Sequence, residues 1–334
     1  MHIVSVCSIC IHTVELYINI NILPENKLLL FRICCLMNLV LLKSSEIGSD
    51  NCATLYPFDA RTKHIVSHLR KRPGDEVAVG VIGGTKGRAT VRSTPGGEKN
   101  GSGLVLELAF DGGSSAPAGP DLTLVLAMPY PKTLKALWPV VASMGVSRIC
   151  LVRAKLSPHG EHCQSSRIGE ATYRPLIEEG MSQGGHTRQV KVDVALDEIV
   201  NSKVLARLGL GGEQGETRQR SRMAKAFLDC GDESGTSVQP LRDVIMSACF
   251  AANDESADGA RKVPLAILAV GPERGWTDGE AKLFQEAGFD MALLGNSILR
   301  VSTAVVAGLA LASAALDECI QLSRKKRKHD TSEC

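Results

Sequence analysis

Leu265-Ala266-Ile267-Leu268-Ala269-Val270 is an unbroken apolar run that stops abruptly at Gly271-Pro272-Glu273-Arg274-Gly275-Trp276. A strand apolar at every position has to be covered on both faces, which is the condition of a parallel sheet flanked by helices. Thr277 and Glu280 then have the spacing of a capping box. Ala281, Leu283, Phe284 and Ala287 follow on one helical face, and Gly288 supplies the stop. Met291 to Leu294 is the next strand. Gly295-Asn296-Ser297-Ile298-Leu299-Arg300 follows it, and a final helix from about Ser302 to Leu322 is rich in small residues.

The same rhythm starts earlier. Leu122 to Ala127 reads as a buried strand, and Pro131 suits a first helical turn. Leu134, Leu137, Trp138, Val141 and Met144 fall at helical spacing before the Gly145 stop, and Ile149 to Val152 resumes as strand. A second helix is expected over Tyr173 to Met181 and a strand over Val190 to Val194. This gives an α/β domain over 121–322. The polar, Gly-rich region 209–262 is expected as a surface insertion, interrupted by Ala224 to Asp229 and by a helix over Leu241 to Phe250.

Residues 52–111 read differently. Val77, Val79 and Val81 alternate with small or polar residues, Ala89 and Val91 follow, and Val105 to Phe110 is another β-rich run. Pro73-Gly74-Asp75, Gly83-Gly84 and Pro95-Gly96-Gly97 mark turns between them. The pattern is that of a small β-barrel, joined to the α/β domain by a Gly-, Ser-, Ala- and Pro-rich linker over 112–120. A chain of 334 residues fits two such domains.

Residues 1–51 form an extension without the composition of a secretory signal, a transit peptide or a membrane span. Its longest apolar stretch, Leu28 to Leu42, contains Arg32 and Asn38. Translation from Met37 is one expectation for it. The scattered cysteines fit a reducing compartment, cytoplasmic or organellar (chloroplast or mitochondrion), better than a disulfide framework. Cys7-Ser8-Ile9-Cys10 and the group His159, His162, Cys163 lack further ligands at metal spacing, so no metal is expected.

The formal charge is only +2, but it is unevenly spread. From Arg61 to Lys99 nine basic residues face three acidic ones, a local net of +6, and the tail over 323–334 carries Arg324-Lys325-Lys326-Arg327-Lys328. Such clusters neutralise phosphates and release counterions, the general source of affinity for nucleic acid. For the tail alone a solvated charge run or an import signal is the simpler reading.

The two glycine-bearing turns, 271–276 and 295–300, leave the C-terminal ends of their strands, the edge where open α/β sheets bind ligands. Neither is a Gly-x-Gly-x-x-Gly fingerprint or a P-loop, and no Gly-x-Ser-x-Gly nucleophile motif occurs. On spacing alone, a shared ligand frame and two ordinary strand-to-helix turns are equally good readings.

Gly271-Pro272-Glu273-Arg274-Gly275-Trp276, followed by Leu294-Gly295-Asn296-Ser297-Ile298-Leu299-Arg300-Val301-Ser302-Thr303-Ala304, resembles the paired signature of the RsmE family. That family methylates N3 of a uridine in small-subunit ribosomal RNA. Weaker matches lie in the family order: His64 to Arg70 running into Pro73-Gly74-Asp75, the Lys132 to Gly145 helix, and Gln183-Gly184-Gly185 leading to Arg188. The likeness spans about Cys52 to Leu322 without the insertions.

The resemblance implies a PUA-like RNA-gripping barrel and a SPOUT domain, an α/β sheet with a deep trefoil knot. It also implies S-adenosylmethionine as cofactor, a homodimer, and neither metal nor membrane partner. By the same resemblance Val270, Gly271, Pro272, Glu273, Gly275, Leu294, Gly295, Ile298, Leu299 and Arg300 hold the cofactor. Arg61, His64, Arg70, Arg72 and Lys132 face the RNA.

Methyl transfer to uracil N3 needs an aligned methyl group and loss of the N3 proton from a base turned out of pairing. Arg300, beside the cofactor turn, is the expected catalytic residue, stabilising the developing uridinate or holding phosphate. Its competing role is a salt bridge at the helix start, with Glu273.

Three departures stand out. Ser302 replaces the family Glu before Thr-Ala, Ser143-Met144-Gly145 replaces Glu-Leu-Gly, and Arg274 replaces a glycine. They motivate two rival readings: a catalytically silent RNA-binding or ribosome-assembly factor of the same fold, and a SPOUT methyltransferase for another RNA.

Overall fold

The described part of the computed structural model comprises residues 39–95, 103–110, 120–158, 168–211, 223–229, 238–254 and 265–330. Its N-terminal sheet contains β1 (Val40–Leu42), β2 (Cys52–Leu55), β3 (Glu76–Val81), β4 (Lys86–Ser93) and β5 (Leu104–Phe110) in the order β1-β3-β4-β5-β2. All neighbours are antiparallel except β1 and β3. Alternate residues turn inward, Val77 and Val79 from β3, Ala89 and Val91 from β4, Leu104, Leu106 and Leu108 from β5, and Ile65 plugs the middle. The described strands make a curled half-barrel rather than the closed barrel that the pattern suggested.

This sheet also corrects the expected boundary at residue 51. Val40 and Leu42 enter the half-barrel core, while Leu39 and Leu41, on the opposite face, enter the core of the α/β part. The two-residue period of a strand thus lets β1 serve both cores at once. The Ser182 hydroxyl donates to Leu39 O at 2.6 Å and fixes the strand there. Thr187 ties the same junction, its hydroxyl donating to Gly84 O (2.6 Å) and its carbonyl accepting from Gly83 N (2.7 Å).

Arg61 holds the half-barrel's first helical segment in place. Helix α1 (Ala60–Lys63) starts at Asp59, whose carboxylate accepts from Arg61 N at 2.8 Å, and it runs into a π-turn over His64–His68. The Arg61 guanidinium donates from Nε to Asp59 (3.0 Å), from Nη1 to Leu41 O and Glu46 (both 2.8 Å), and from Nη2 to Glu46 and Asp59 (both 2.7 Å). Every donor of the fork is committed. Arg61 is therefore a structural clamp, which corrects its expected role as an RNA contact.

The second sheet holds seven parallel strands in the order β10-β12-β9-β11-β6-β7-β8. The chain runs β6 (Asp121–Ala127), α2 (Pro131–Ser143), β7 (Arg148–Arg153), α3 (Glu170–Gln183), β8 (Lys191–Ile199), α4 (Ser202–Arg207) and β9 (Met223–Leu228). It continues through β10 (Gln239–Pro240), α5 (Leu241–Asp254), β11 (Leu265–Val270), α6 (Asp278–Glu286), β12 (Asp290–Leu293) and α7 (Val301–Asp330).

Both faces are covered, as the apolar runs demand. Leu122, Leu124 and Leu126 of β6 and Ala266, Leu268 and Val270 of β11 pack with α2, α3, α5 and α7. Val125, Ala127, Ile267 and Ala269 pack on the other face with α4 and α6. Each fully buried Leu, Ile or Val contributes about 1.5–3 kcal/mol, so the central strands anchor the domain.

Two expectations change. Region 209–262 is not simply an insertion, because β9 sits inside the sheet between β11 and β12. The polar, Gly-rich residues around it set the expectation, and the strand itself carries Lys225. The ammonium donates to Leu210 O (3.0 Å) and Ala287 O (3.2 Å) and lies 5.3 Å from the Phe289 ring centre, which satisfies a charge on a central strand. The final helix also runs on through the basic segment to Asp330, since Lys and Arg are good helix formers.

By length and composition Val301–Ser323 is apolar enough to cross a membrane. Val305, Leu309, Ala312 and Leu316 of that helix lie in the α/β core, where α7 packs against α5 and β11. The N-terminal residues 1–38, the linker residues 111–119 and the group His159, His162, Cys163 lie outside the described residues.

The Arg61 clamp has a pH signature. Hydrogen bonds from Arg61 are the largest cause holding the Glu46 and Asp59 carboxyls below the ordinary range. A carboxyl depressed on folding contributes stability that is complete above its unfolded pKa, about 4, and is lost as pH falls through the folded one. Arg61→Ala is expected to lower the unfolding free energy at pH 7 by about 2 kcal/mol. In urea titrations the gap between variant and wild type should narrow below about pH 4; a gap independent of pH would exclude the two carboxylates as its source.

Candidate functional site

Val270, the last residue of β11, and Ala292 of β12 both pair with Leu228 of β9. The two outer strands are therefore two interstrand spacings apart, about 10 Å, and the turns that follow them rise from one edge at one level. The turn after β6 joins them: the backbone N–H of Tyr130 donates to Glu273 Oε1 at 3.1 Å.

The first turn, 271–276, has a rigid base. Trp276 is buried, its ring centre 4.8 Å from that of Phe284, which in turn meets Phe227 and Phe289. A Cβ on Gly271 would come within 3.2 Å of the indole, so the strand end lies close on the ring and a side chain there would press against it. Gly275 N donates to Pro272 O (2.9 Å) and closes the turn, leaving Glu273 and Arg274 exposed at its tip.

Below it, Glu280 is buried. One carboxylate oxygen accepts from Thr277 N (2.9 Å) and the Thr277 hydroxyl (2.7 Å), the other from Lys155 N (2.7 Å). It binds the start of α6 to the turn after β7. The Thr277–Glu280 spacing seen in the sequence thus reaches a third element.

The second turn is open. Gly295 has φ +144° and Gly275 φ +74°, and a Cβ added at either would meet nothing within 4 Å. Ile298 is 87% exposed, while Leu294 and Leu299 are half-buried. Two glycine backbones beside free space and an apolar side chain held in water form a cradle fitted to a flat, partly apolar ligand with hydrogen-bonding edges. The indole N–H of Trp276, buried against Gly271 with no acceptor among the described residues, adds an unsatisfied donor at the same strand end.

The structure thus brings Val270, Gly271, Pro272, Glu273, Gly275, Leu294, Gly295, Ile298, Leu299 and Arg300 to one sheet edge. Arg300 is exposed, its carbonyl accepting from Ala304 N (2.8 Å) at the start of α7. Among the described residues it makes no ion pair with Glu273, whose carboxylate turns to Tyr130 instead. Lys132 is exposed on the first turn of α2, on the same edge as the cradle and not on the half-barrel.

His64, Arg70 and Arg72 lie on the half-barrel, and Arg70 and Arg72 are exposed. Burial, with help from His68 stacked 5.6 Å away, pushes the His64 imidazole pKa down. Among the described residues no group of three or more His, Cys, Asp or Glu is arranged to hold a metal ion.

Sequence reasoning missed three aromatic side chains that stand in water: Tyr130 (54% exposed), Tyr56 (81%) and Phe58 (101%). The available signal was aromatic residues beside turn-forming Pro and Asp in a chain with only 4% aromatics.

Base and tips of the cradle should separate by mutation. Trp276→Ala is expected to cost about 3–5 kcal/mol of unfolding free energy, as for other buried aromatics. Ile298→Ala should shift it by less than about 0.5 kcal/mol. Chemical denaturation checks both, and a large loss at Ile298 would mean that its exposed side chain carries structure.

Comparison with known proteins follows the same lines. A family model described as an RNA methyltransferase domain matches residues 232–313. Ribosomal RNA small subunit methyltransferase E of Treponema pallidum (strain Nichols) is 28% identical over 275 residues, covering 82% of this chain and 90% of that protein. The crystal structure of a ribosomal RNA small subunit methyltransferase E from Neisseria gonorrhoeae bound to S-adenosyl methionine has a TM-score of 0.54 at 18% identity. It covers 82% of this chain and 95% of that one, a likeness of fold. With the paired signature now found on one sheet edge, the chain is similar in sequence to a ribosomal RNA small subunit methyltransferase E and in fold to another.

Proposed function

We propose that this protein transfers a methyl group from S-adenosylmethionine to small-subunit ribosomal RNA, with N3 of a uridine as the target. The observation that carries the reading is the shared level of the two turns, with open space beside Gly275 and Gly295. The Treponema pallidum relative supports the RNA substrate and the Neisseria gonorrhoeae structure supports the cofactor.

When bound, S-adenosylmethionine supplies an electrophilic methyl group. Backbone N–H and C=O groups of 271–275 and 294–299 would grip its polar edges, and Ile298 and Leu294 would cover its apolar surface. Trp276 and Glu280 hold the first turn still, so that alignment costs little at the moment of reaction. Arg300, at the end of the second turn, would face the incoming base and favour its anionic form as the N3 proton leaves. Lys132 and Arg274, exposed on the same edge, would hold flanking phosphates.

The finer architecture belongs to the same proposal. A knotted SPOUT arrangement rests on the resemblance of the paired signature, and the curled sheet with its basic loops supports a PUA-like RNA-binding module. Val306, Ala310, Leu311 and Ala314 form an exposed, mostly small row on α7 opposite its buried stripe, which supports a homodimer. A cytoplasmic or organellar (chloroplast or mitochondrial) address belongs to the same reading, as the scattered cysteines suggested.

Calorimetry should find S-adenosylmethionine binding, weakened tenfold or more in Ile298→Asp. Arg300→Ala should keep that affinity within about threefold and lose methyl transfer by about 100-fold. Incubation with small-subunit ribosomal RNA and labelled cofactor, followed by nucleoside mass spectrometry, should yield 3-methyluridine. No cofactor binding would favour the silent assembly factor, and methyl groups on another nucleoside would overturn the N3 assignment.

A further inference from the structure

The loop between β2 and α1, Tyr56-Pro57-Phe58-Asp59, displays aromatic rings in water and spends several hydrogen bonds to do so. Phe58 is fully exposed and Tyr56 nearly so. The loop is nevertheless fixed at both ends. Asp59 N donates to Tyr56 O (3.0 Å), the buried Thr62 donates its hydroxyl to the same oxygen (2.8 Å), and Asp59 is held by the Arg61 clamp. A rigid turn that keeps a phenyl ring out of a nearby apolar core is a presentation device.

Beside it lies a cleft of about 260 Å³ lined by Pro57, Phe58, Thr62, Lys63, Val66, Ser67 and Pro95. Among the described residues its walls carry one cation, Lys63, and no carboxylate. Arg70 and Arg72, also exposed, follow one to two turns along the chain. Aromatic faces next to cations, with no acid among the lining residues, are the chemistry of a single-stranded nucleic-acid platform: bases stack on the rings and phosphates meet the cations.

We propose that Phe58, with Tyr56, forms a stacking platform for an unpaired base of the RNA substrate, and that Lys63 takes an adjoining phosphate. The inference rests on the RNA-methyltransferase reading and names the side chains by which the half-barrel would hold an unpaired base, away from the transfer edge. Arg61, expected from its charge to touch RNA, instead positions the loop that does.

The test is fluorescence anisotropy of the full chain with a labelled 12-nucleotide single-stranded RNA containing uridine and adenosine, at two salt concentrations. Phe58→Ala should weaken binding by about tenfold or more, Phe58→Trp should restore it, and the Phe58→Ala penalty should vanish on an abasic RNA of the same length. Lys63→Ala should weaken binding less as salt rises and reduce the salt slope by about one. Circular dichroism of Phe58→Ala should match wild type, since the ring is exposed. Wild-type binding that Phe58→Ala leaves within twofold overturns the platform and leaves the methyltransferase reading intact. A wild-type chain that binds S-adenosylmethionine but no RNA overturns both the platform and the RNA substrate.

Discussion

The placement of β9 between β11 and β12 is the constraint on which the rest of the structure depends. Three parallel strands in that order point their C-terminal ends to the same edge, and the shared partner Leu228 sets two turns at one height. Nothing in either turn has to be long or elaborate. The distance between them is fixed by backbone hydrogen bonding across one intervening strand, and the apolar cover on both faces keeps that strand from shifting register. A cradle built on such a base can leave its tips bare. Trp276 and Glu280 supply rigidity underneath, Gly275 and Gly295 leave open space beside their backbones, and the Ile298 side chain stands exposed.

The strands that carry this arrangement were legible in the sequence to the degree that they were uniformly apolar. β6, β7 and β11 announce themselves because both faces are buried and every position is constrained to the same chemistry. β9 did not, because polar, Gly-rich residues surround it and Lys225 interrupts it. The satisfaction of that ammonium by Leu210 O and Ala287 O comes from residues 15 and 62 positions away, which no local pattern contains. β1 was lost for the opposite reason. Leu39 to Leu42 are all apolar because two different cores take alternate residues, and in sequence this looks like the tail of a hydrophobic extension. The cradle itself was legible through glycines and their place after strands. The ring beneath Gly271 was visible as a residue, Trp276, but not as a packing partner.

Charge was the least transferable signal. The basic count from Arg61 to Lys99 pointed to an RNA-facing surface, yet its members divide by geometry into several kinds. Arg61 is consumed by Glu46, Asp59 and the Leu41 carbonyl, and Arg92 pairs with Glu107. Arg88 pairs with Glu76. Lys63, Arg70 and Arg72 stay exposed. A sum of formal charges cannot separate a clamp from a contact, because the acids that neutralise a clamp can lie outside the window that was counted. Glu46 and Glu107 both do.

The departures from the RsmE signature act in one direction at the transfer edge. Arg274 adds a positive charge at the tip of the first turn, and Ser302 removes a negative one from the first turn of α7, a few residues from Arg300. A carboxylate at that helix start would have been favoured by the helix dipole and would have offset Arg300. Without it, the exposed guanidiniums of Arg274 and Arg300 stand with Lys132 on an edge where the Glu273 carboxylate accepts a hydrogen bond from Tyr130 N. The field there favours an anion more strongly than the family pattern would. Such a field favours a polyanionic ligand such as RNA. Ser302 is thus compatible with activity through charge, even though it supplies no carboxylate for moving a proton.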